Sequence, residues 1–201
     1  GRFRVNLFRQ RGSIAAVVRV IRFGLPTAEE AHIPPEVMRA AQMKKGIVLV
    51  TGSAGSGKST TLACIINEIN RTRTGHILTL EDPVEYIHRH DKCIVSQREI
   101  GCDCPSYVAA LRSALRESPD VILLGEMRDK ETMEVAMTAA ETGQLLLSSL
   151  HTTGAANTID RIIDAFPPNQ QAQIRLQLSM VLQAVISQQL VPGMDGTPIP
   201  V

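Results

Sequence analysis

The chain has 201 residues, of which 44% are hydrophobic and 20% are charged, with 21 Lys and Arg against 20 Asp and Glu. This composition excludes an intrinsically disordered chain and leaves room for one α/β core and part of a second unit. A net charge of +1 and an aromatic content of 3% give no reason to expect a nucleic-acid partner, which favours a basic surface and stacking aromatics.

The sequence also lacks the signs of a membrane or secreted protein. No stretch reaches the ~18 consecutive apolar residues of a transmembrane helix, and no signal peptide is visible. The cysteines form no C-x-x-C pair, and Cys102 and Cys104 with His88 and His90 match no standard zinc spacing. We therefore expect reduced thiols in a cytoplasmic protein without direct membrane insertion.

The first predicted elements are two strands. Hydrophobic residues alternate along residues 3–23 with the period of β-strands, and the polar segment 9–13 is typical of a turn, so we expect an antiparallel hairpin. Residues 24–35 contain three prolines and predict a linker that separates residues 1–23 from a second domain at 36–201. Because the chain begins with Gly rather than Met and ends in a turn-rich tail, we expect a truncated piece of a longer protein.

From Gly46 onward, short apolar strands alternate with segments of helical periodicity, which predicts a mainly parallel sheet covered by helices on both faces. The predicted strands are 47–50, 76–80, 121–124 and 145–150. The predicted helices are 58–71, 106–116, 130–141, 157–165 and a long amphipathic helix over 170–190.

Residues 52–59, with the sequence GSAGSGKS, match the pattern G-x-x-x-x-G-K-[ST] in full. The motif follows a predicted strand and opens a predicted helix, which is the structural context that a phosphate loop (P-loop) requires. Glycines and small residues allow the backbone N–H groups to turn toward phosphates, and the helix N-terminus adds partial positive charge. We expect Lys58 to reach the β- and γ-phosphates of ATP and the Ser59 hydroxyl to bind Mg²⁺. The candidate nucleotide-binding residues are Gly52, Ser53, Ala54, Gly55, Ser56, Gly57, Lys58 and Ser59.

An acidic residue, Glu126, follows the apolar strand predicted over 121–124, which is the form of a Walker B element. Many P-loop enzymes have a magnesium-associated Asp where this chain has Gly125. We therefore expect Glu126 to act as the base that polarises water rather than as a direct metal ligand. The alternative is a solvated Glu at the end of a strand.

Two further polar groups follow predicted strands. Glu81, Asp82 and Glu85 follow the second core strand, and His151 follows the fourth. Ligands of open α/β sheets collect at the carboxyl ends of strands, so the carboxylates are candidates to surround Mg²⁺ and its waters. The imidazole is a candidate sensor of the γ-phosphate. A simple turn at the acidic segment and a structural role for the histidine remain open.

These motifs, in this order, resemble the secretion ATPase superfamily, which drives type II and type IV secretion and type IV pili. Its members contain a Walker A motif, an Asp box, an atypical Gly-Glu Walker B motif and a His box. The matching segments after the P-loop are 81–85 (EDPVE), 125–129 (GEMRD) and 150–153 (LHTT).

Within that superfamily, the chain is most similar to the ATPases that retract type IV pili in twitching motility. The similar segments are 1–6 (GRFRVN), 139–143 (AAETG) and 158–167 (TIDRIIDAFP). Extension motors and type II secretion ATPases usually have a four-cysteine metal-binding insertion after the His box, and this chain shows none.

The resemblance implies a RecA-like core at residues 36–201, preceded by the last strands of a small PAS-like α/β domain. It assigns Thr60 to the nucleotide loop with Lys58 and Ser59, Glu126 to the Walker B motif, and His151 to the His box. It also implies a six-membered ring with ATP bound between domains.

The resemblance further implies that Arg4 and Arg19 of the small domain point at the phosphates. Such cations stabilise transition-state charge and are worth ~10³–10⁵ in rate. Arg9 and Arg11 are weaker candidates because arginines in a turn need no special explanation.

The implied function is ATP hydrolysis by a cytoplasmic homo-hexameric motor that lies at the inner face of the cell membrane, acts on an inner-membrane platform protein and retracts pili. Hydrolysis would rotate one domain against the other about the linker. Three alternatives remain: an extension or type II secretion ATPase, a nucleotide-sensing scaffold without turnover, and a DNA-handling RecA-like protein, which the low charge and few aromatics disfavour.

Overall fold

A computed structural model describes residues 2–21, 24–193 and 198–201. Strands β1 (Arg2–Gln10) and β2 (Ser13–Ile21) form the predicted antiparallel hairpin. They are joined by a two-residue turn in which Arg11 has φ 48° and Gly12 has φ 79°. Positive φ at both positions matches the twist of the strands. Gly1, which the sequence places in the first strand, lies outside the described residues.

The core is a parallel sheet of 6 strands in the order β5-β4-β6-β7-β3-β8, which confirms the predicted RecA-like α/β core. Its strands are β3 (Gly46–Thr51), β4 (Gly75–Glu81), β5 (Cys93–Glu99), β6 (Val121–Leu124), β7 (Leu145–Leu150) and β8 (Leu182–Ser187). The four predicted strands are β3, β4, β6 and β7, and they occupy the centre of the sheet. Strands β5 and β8, at its two edges, are additional.

Helices cover both faces of this sheet and bury two hydrophobic clusters. Helix α2 and a 3-10 turn (Arg39–Gln42) cover one face, while the four helices from α3 to α6 cover the other. The helices are α1 (Pro35–Met38), α2 (Lys58–Thr72), α3 (Tyr107–Ala114), α4 (Lys130–Glu141), α5 (Ala155–Asp164) and α6 (Pro168–Val181). Among the described residues, every helix is too short or too polar to cross a lipid bilayer.

The long helix predicted over 170–190 is wrong in its second half. Helix α6 ends at Val181, and the next residues form β8, which pairs in parallel with β3. The apolar stripe fits a helix, but Ala184, Val185 and Ile186 instead align with residues of β3. Pairing along an open sheet edge outweighs the local helical pattern. A short antiparallel pair follows, formed by β9 (Leu190–Pro192) and β10 (Pro198–Pro200).

The segment predicted as a linker forms turns that pack on the core. Cys64 on α2 donates a hydrogen bond from Sγ to Pro26 O at 3.3 Å, and Ile33 is buried. Thr27 and Glu30 exchange hydrogen bonds between side chain and main chain. The segment is therefore anchored to the RecA-like core, while the domain boundary itself stays a prediction.

Candidate active site

The carboxyl ends of the central strands open into a cleft of about 640 Å³. Strands β3, β4, β6 and β7 run in the same direction, so the residues that follow them meet at one edge of the sheet. The cleft brings together residues that the sequence singles out in five separate segments. These are Arg4, Arg19, Lys58, Ser59, Thr60, Glu81, Asp82, Glu85, Glu126 and His151.

The P-loop runs from the end of β3 to the start of α2, as predicted. Gly52, Gly55 and Gly57 have φ values of 146°, 79° and 89°, which side chains rarely allow. Lys58 is 7% exposed and donates from Nζ to Gly52 O at 2.9 Å and to Ser53 O at 2.7 Å. Burial lowers the pKa of Lys58, and the charges of Glu126 and Glu85 oppose that shift. The ammonium group therefore lies inside the curled loop.

The loop residues occupy two positions relative to the cleft. Ala54, Gly55 and the run 57–60 line it, whereas Gly52, Ser53 and Ser56 are not among its described lining residues. Of these three residues, Gly52 and Ser53 accept the hydrogen bonds of Lys58 through their main-chain oxygens. The Thr60 hydroxyl hydrogen-bonds to the Tyr86 hydroxyl at 2.9 Å.

Glu126 follows β6, which is separated from the P-loop strand by β7. It is 9% exposed and forms an ion pair with Arg128 through Oε1. Its Oε2 lies 3.5 Å from Nε2 of His151. The carboxylate is therefore held between a guanidinium and an imidazole at the wall of the cleft.

The structure gives a physical reason for glycine at position 125. A Cβ there would lie 3.0 Å from the Tyr107 hydroxyl and 3.2 Å from Leu80 O. The main chain is also fixed, because Gly125 N donates to Leu80 O at 2.8 Å and Gly125 O accepts from Ser149 Oγ at 2.7 Å. An aspartate at this position would have to displace the neighbouring strand or the tyrosine.

The three predicted carboxylates after β4 have different surroundings. Glu81 is largely buried and accepts hydrogen bonds from Thr79 Oγ1 at 2.7 Å and Gln97 Nε2 at 3.4 Å. Burial raises the pKa of Glu81 despite these hydrogen bonds. Asp82 is more exposed, and its Oδ1 lies 3.9 Å from Arg4 Nη2. All three carboxylates line the cleft, but hydrogen bonds within the core hold Glu81, whereas Asp82 lies near an arginine of the hairpin.

The hairpin presents its two predicted arginines to the cleft. Arg4 and Arg19 are directly opposite each other on β1 and β2, so they share one face. Arg9 and Arg11, at the turn end of the hairpin, are not among the described residues that line the cleft.

The sequence gives no role to Tyr107 or Arg128, and both line the cleft. Burial together with nearby carboxylates raises the pKa of the Tyr107 hydroxyl. Arg128 lies inside the segment 125–129 and could have been noticed there. Tyr107 has no comparable signal, because only the packing of α3 brings it to Gly125.

The donor set fits a magnesium–triphosphate complex. Lys58, Arg4, Arg19 and the N-terminus of α2 supply positive charge for phosphates. The Ser59 hydroxyl and the carboxylates on the same cleft are oxygen ligands of the kind that Mg²⁺ binds directly or through water.

The parallel sheet, the P-loop and the glutamate two strands away define a RecA-like P-loop ATPase core. Comparison with protein families then identifies the chain more closely. Residues 16–197 match the family described as Type II/IV secretion system protein, and the chain belongs to that family. The resemblance noted from the motifs is confirmed.

Similar proteins include pilus ATPases. The type IV pilus retractation ATPase PilT of Pseudomonas aeruginosa is 51% identical over 97% of this chain and 57% of its own length. The twitching motility protein of Neisseria gonorrhoeae is 52% identical over 97% of this chain and 52% of its own length. The crystal structure of the pilus retraction motor PilT with bound ADP superposes with a TM-score of 0.95 and 52% identity, over 100% of this chain and 58% of that one. The chain therefore spans little more than half the length of these relatives.

Proposed function

We propose that this chain is the ATP-hydrolysing part of a motor that retracts type IV pili, with Mg²⁺ as its cofactor. The observation that carries the proposal is that Glu126 and Lys58 face one cleft from strands two positions apart. Relatives named for pilus retraction and twitching motility are 51% and 52% identical, which favours retraction over extension or secretion.

In the proposed reaction, the P-loop N–H groups and Lys58 hold the phosphates of ATP. Mg²⁺ would be held by the Ser59 hydroxyl, with Glu81, Asp82 and Glu85 near its waters, and would offset phosphate charge. Glu126 accepts a proton from the attacking water as the γ-phosphoryl group is transferred from ADP to the oxygen of that water.

The neighbours of Glu126 orient that carboxylate. Arg128 pairs with one oxygen of Glu126, and His151 lies 3.5 Å from the other, which would receive the attacking water. Arg4 and Arg19 supply charge from the hairpin, so loss of the γ-phosphate would weaken the attraction between hairpin and core. This coupling is the proposed origin of domain rotation about residues 24–35.

We further propose that the full protein is a homo-hexamer at the cytoplasmic face of the inner membrane, where it acts on a platform protein. The proposal of assembly is supported by one face of the hairpin, which offers an apolar surface for packing against another polypeptide segment. Its apolar side chains are more than half exposed, at Phe3 (55%), Val5 (52%), Leu7 (68%), Val18 (56%) and Val20 (67%). Mass measurement of the full-length protein with nucleotide tests the ring.

Substitution of Glu126 by Gln in the full-length protein tests the catalytic proposal. The variant keeps the shape of the side chain but loses the base, so ATP turnover should fall about 10²–10⁴-fold while ATP binding persists. Glu134→Gln on the exposed face of α4 is the matched control and should leave turnover unchanged. Parental turnover in Glu126→Gln would remove Glu126 from this role, and a parent that binds ATP without releasing phosphate would favour a scaffold.

The cellular part of the proposal is tested by deleting the gene in its host. Retraction predicts cells with excess pili and no surface motility. Cells without pili would instead indicate an extension motor, and a secretion defect with normal pili would indicate a secretion ATPase.

A further inference from the structure

Gln188 lies directly after β8 and contacts the P-loop from behind. It is 6% exposed and is not among the described residues that line the cleft. Its main-chain N–H donates to Thr51 O at 2.7 Å. Its side-chain Nε2 donates to Ser56 O at 2.7 Å, and its Oε1 accepts from Thr61 Oγ1 at 2.8 Å. One buried amide therefore links the loop to the first turn of α2.

The packing of Gln188 also accounts for two glycines of the loop. A Cβ on Gly52 would lie 2.2 Å from the main-chain oxygen of Gln188, and a Cβ on Gly57 would lie 2.8 Å from its Nε2. A Cβ essentially never lies within 3.0 Å of another heavy atom, so Gly52 leaves room for the main chain of Gln188 and Gly57 for its side-chain amide. The loop is thus supported by Gln188 at both of its ends.

The hydrogen bond to Ser56 has a consequence for the phosphate side of the loop. In a trans peptide unit, the C=O and the following N–H point in opposite directions. Since Gln188 holds Ser56 O behind the loop, the N–H of Gly57 is directed to the opposite side, and Gly57 lines the cleft. A primary amide suits this position because Ser56 O needs a donor while the Thr61 hydroxyl donates to the amide oxygen.

We infer that Gln188 is a positioning residue for the nucleotide, which fixes the Ser56–Gly57 peptide plane so that the Gly57 N–H faces the phosphates. The inference rests on the proposed nucleotide-binding function. It assigns Gln188 no contact with the substrate, and its effect passes through the loop.

The experiment measures ATP affinity, KM and kcat of the full-length parent and of Gln188→Glu. The carboxylate keeps the size of the side chain and, in its ionised form, has no hydrogen to donate to Ser56 O, so the peptide plane loses its support. A hydrogen bond to a charged group is typically worth a factor of about 10–100 in affinity, and we expect Kd and KM to rise by that factor. The kcat at saturating ATP should stay within about threefold, because Glu126 is untouched. Gln189→Glu, an exposed neighbour with the same change, should match the parent.

The split between KM and kcat separates positioning from a merely structural role. If Gln188 only stabilised the fold, the variant would lose active molecules, so kcat would fall with KM unchanged, and that result overturns the inference. Parental Kd and KM in Gln188→Glu overturn it as well. If the variant does not fold, Thr61→Val removes only the hydroxyl that orients the amide. It should raise KM about threefold or more, and an unchanged KM refutes the inference. Failure of the parent to bind ATP would instead refute the proposed function.

Discussion

Substitution of Gly125 by Ala should destabilise the protein through contacts rather than through backbone strain. Gly125 is not among the glycines with positive φ, so the main chain accepts an alanine there. The added Cβ would lie 3.0 Å from the Tyr107 hydroxyl, 3.2 Å from Leu80 O and 3.4 Å from Glu81 Cα. The first two separations are tighter than ordinary van der Waals contact, and Leu80 O belongs to the backbone of β4, which cannot move alone.

The size of the effect follows from two opposing contributions. Overpacking of this kind costs about 1–3 kcal/mol. Replacing Gly by Ala also reduces the entropy of the unfolded chain, which stabilises the folded state by about 0.4–1 kcal/mol. At mid-range the two contributions are about 2 and about 0.7 kcal/mol, so the free energy of unfolding should fall by about 1 kcal/mol, which corresponds to a decrease in Tm of roughly 2–4 °C for a chain of this length. Because Glu126 is the next residue, ATP turnover should also fall.

A double-mutant cycle with Tyr107→Phe measures this contact directly. Removal of the hydroxyl eliminates one of the two tight contacts, so Gly125→Ala should cost about half as much in the Tyr107→Phe background as in the parent. Urea unfolding of the parent, both single variants and the double variant gives the four free energies. The reasoning is refuted if Gly125→Ala is as stable as the parent, or if its cost is the same in both backgrounds.

Two further predictions concern the acid stability of the chain and the hairpin arginines. Burial lowers the pKa of His88 to about 4, from the value of 6.5 that is ordinary for histidine. On acidification, the unfolded chain therefore takes up a proton at this histidine before the folded chain does. The contribution of neutral His88 to the free energy of unfolding is complete above the unfolded pKa and is lost as the pH falls toward 4. The loss should reach about 2 kcal/mol at about pH 5. Urea unfolding at about pH 7.5 and 5 should show a smaller loss in His88→Leu, and equal losses in both proteins would contradict the burial argument. Arg4→Ala and Arg19→Ala should lower kcat for ATP at least about tenfold by removing charge stabilisation, with Arg9→Ala as the control, and parental kcat in both would exclude them from the reaction.

The central part of the fold is predictable because its signals are local. The strands β6 and β7 and the helix α4 have the bounds expected from sequence, at 121–124, 145–150 and 130–141. Central strands of a parallel sheet are buried on both faces, so they appear as wholly apolar runs that few other structures produce. The P-loop adds a motif whose residue types follow from the conformation it needs.

The edges of the sheet are not predictable in the same way. The two strands of the six-stranded sheet that the sequence-based prediction lacks, β5 and β8, are its edge strands. An edge strand has a partner on one side only and retains partly exposed positions, as the segments 93–99 and 182–187 do. Its sequence therefore carries a weaker apolar pattern, and its conformation is decided by the neighbouring strand.

The residues of the candidate site also fall into two groups, those that a local motif predicts and those that only tertiary contacts bring to the site. Residues within motifs, such as Lys58 and Glu126, can be proposed from sequence because the motif specifies its own geometry. Tyr107 and Arg128 lie next to Gly125 and Glu126 only after α3 packs against β4 and the chain turns at the end of β6. Neighbours of this kind are set by tertiary structure.

The error in the predicted long helix and the omission of Gln188 have one cause. A helix that continued past Val181 would carry residue 188 about 10 Å further along its axis, at 1.5 Å per residue, with no reason to meet the loop. A strand parallel to β3 instead runs in the same direction as β3, and Ser187 aligns with Thr51. The residue after one strand must then lie beside the residue after the other, so Gln188 meets Gly52 as a consequence of the register. The edge strand that sequence periodicity assigns to a helix is thus the element that supports the phosphate loop.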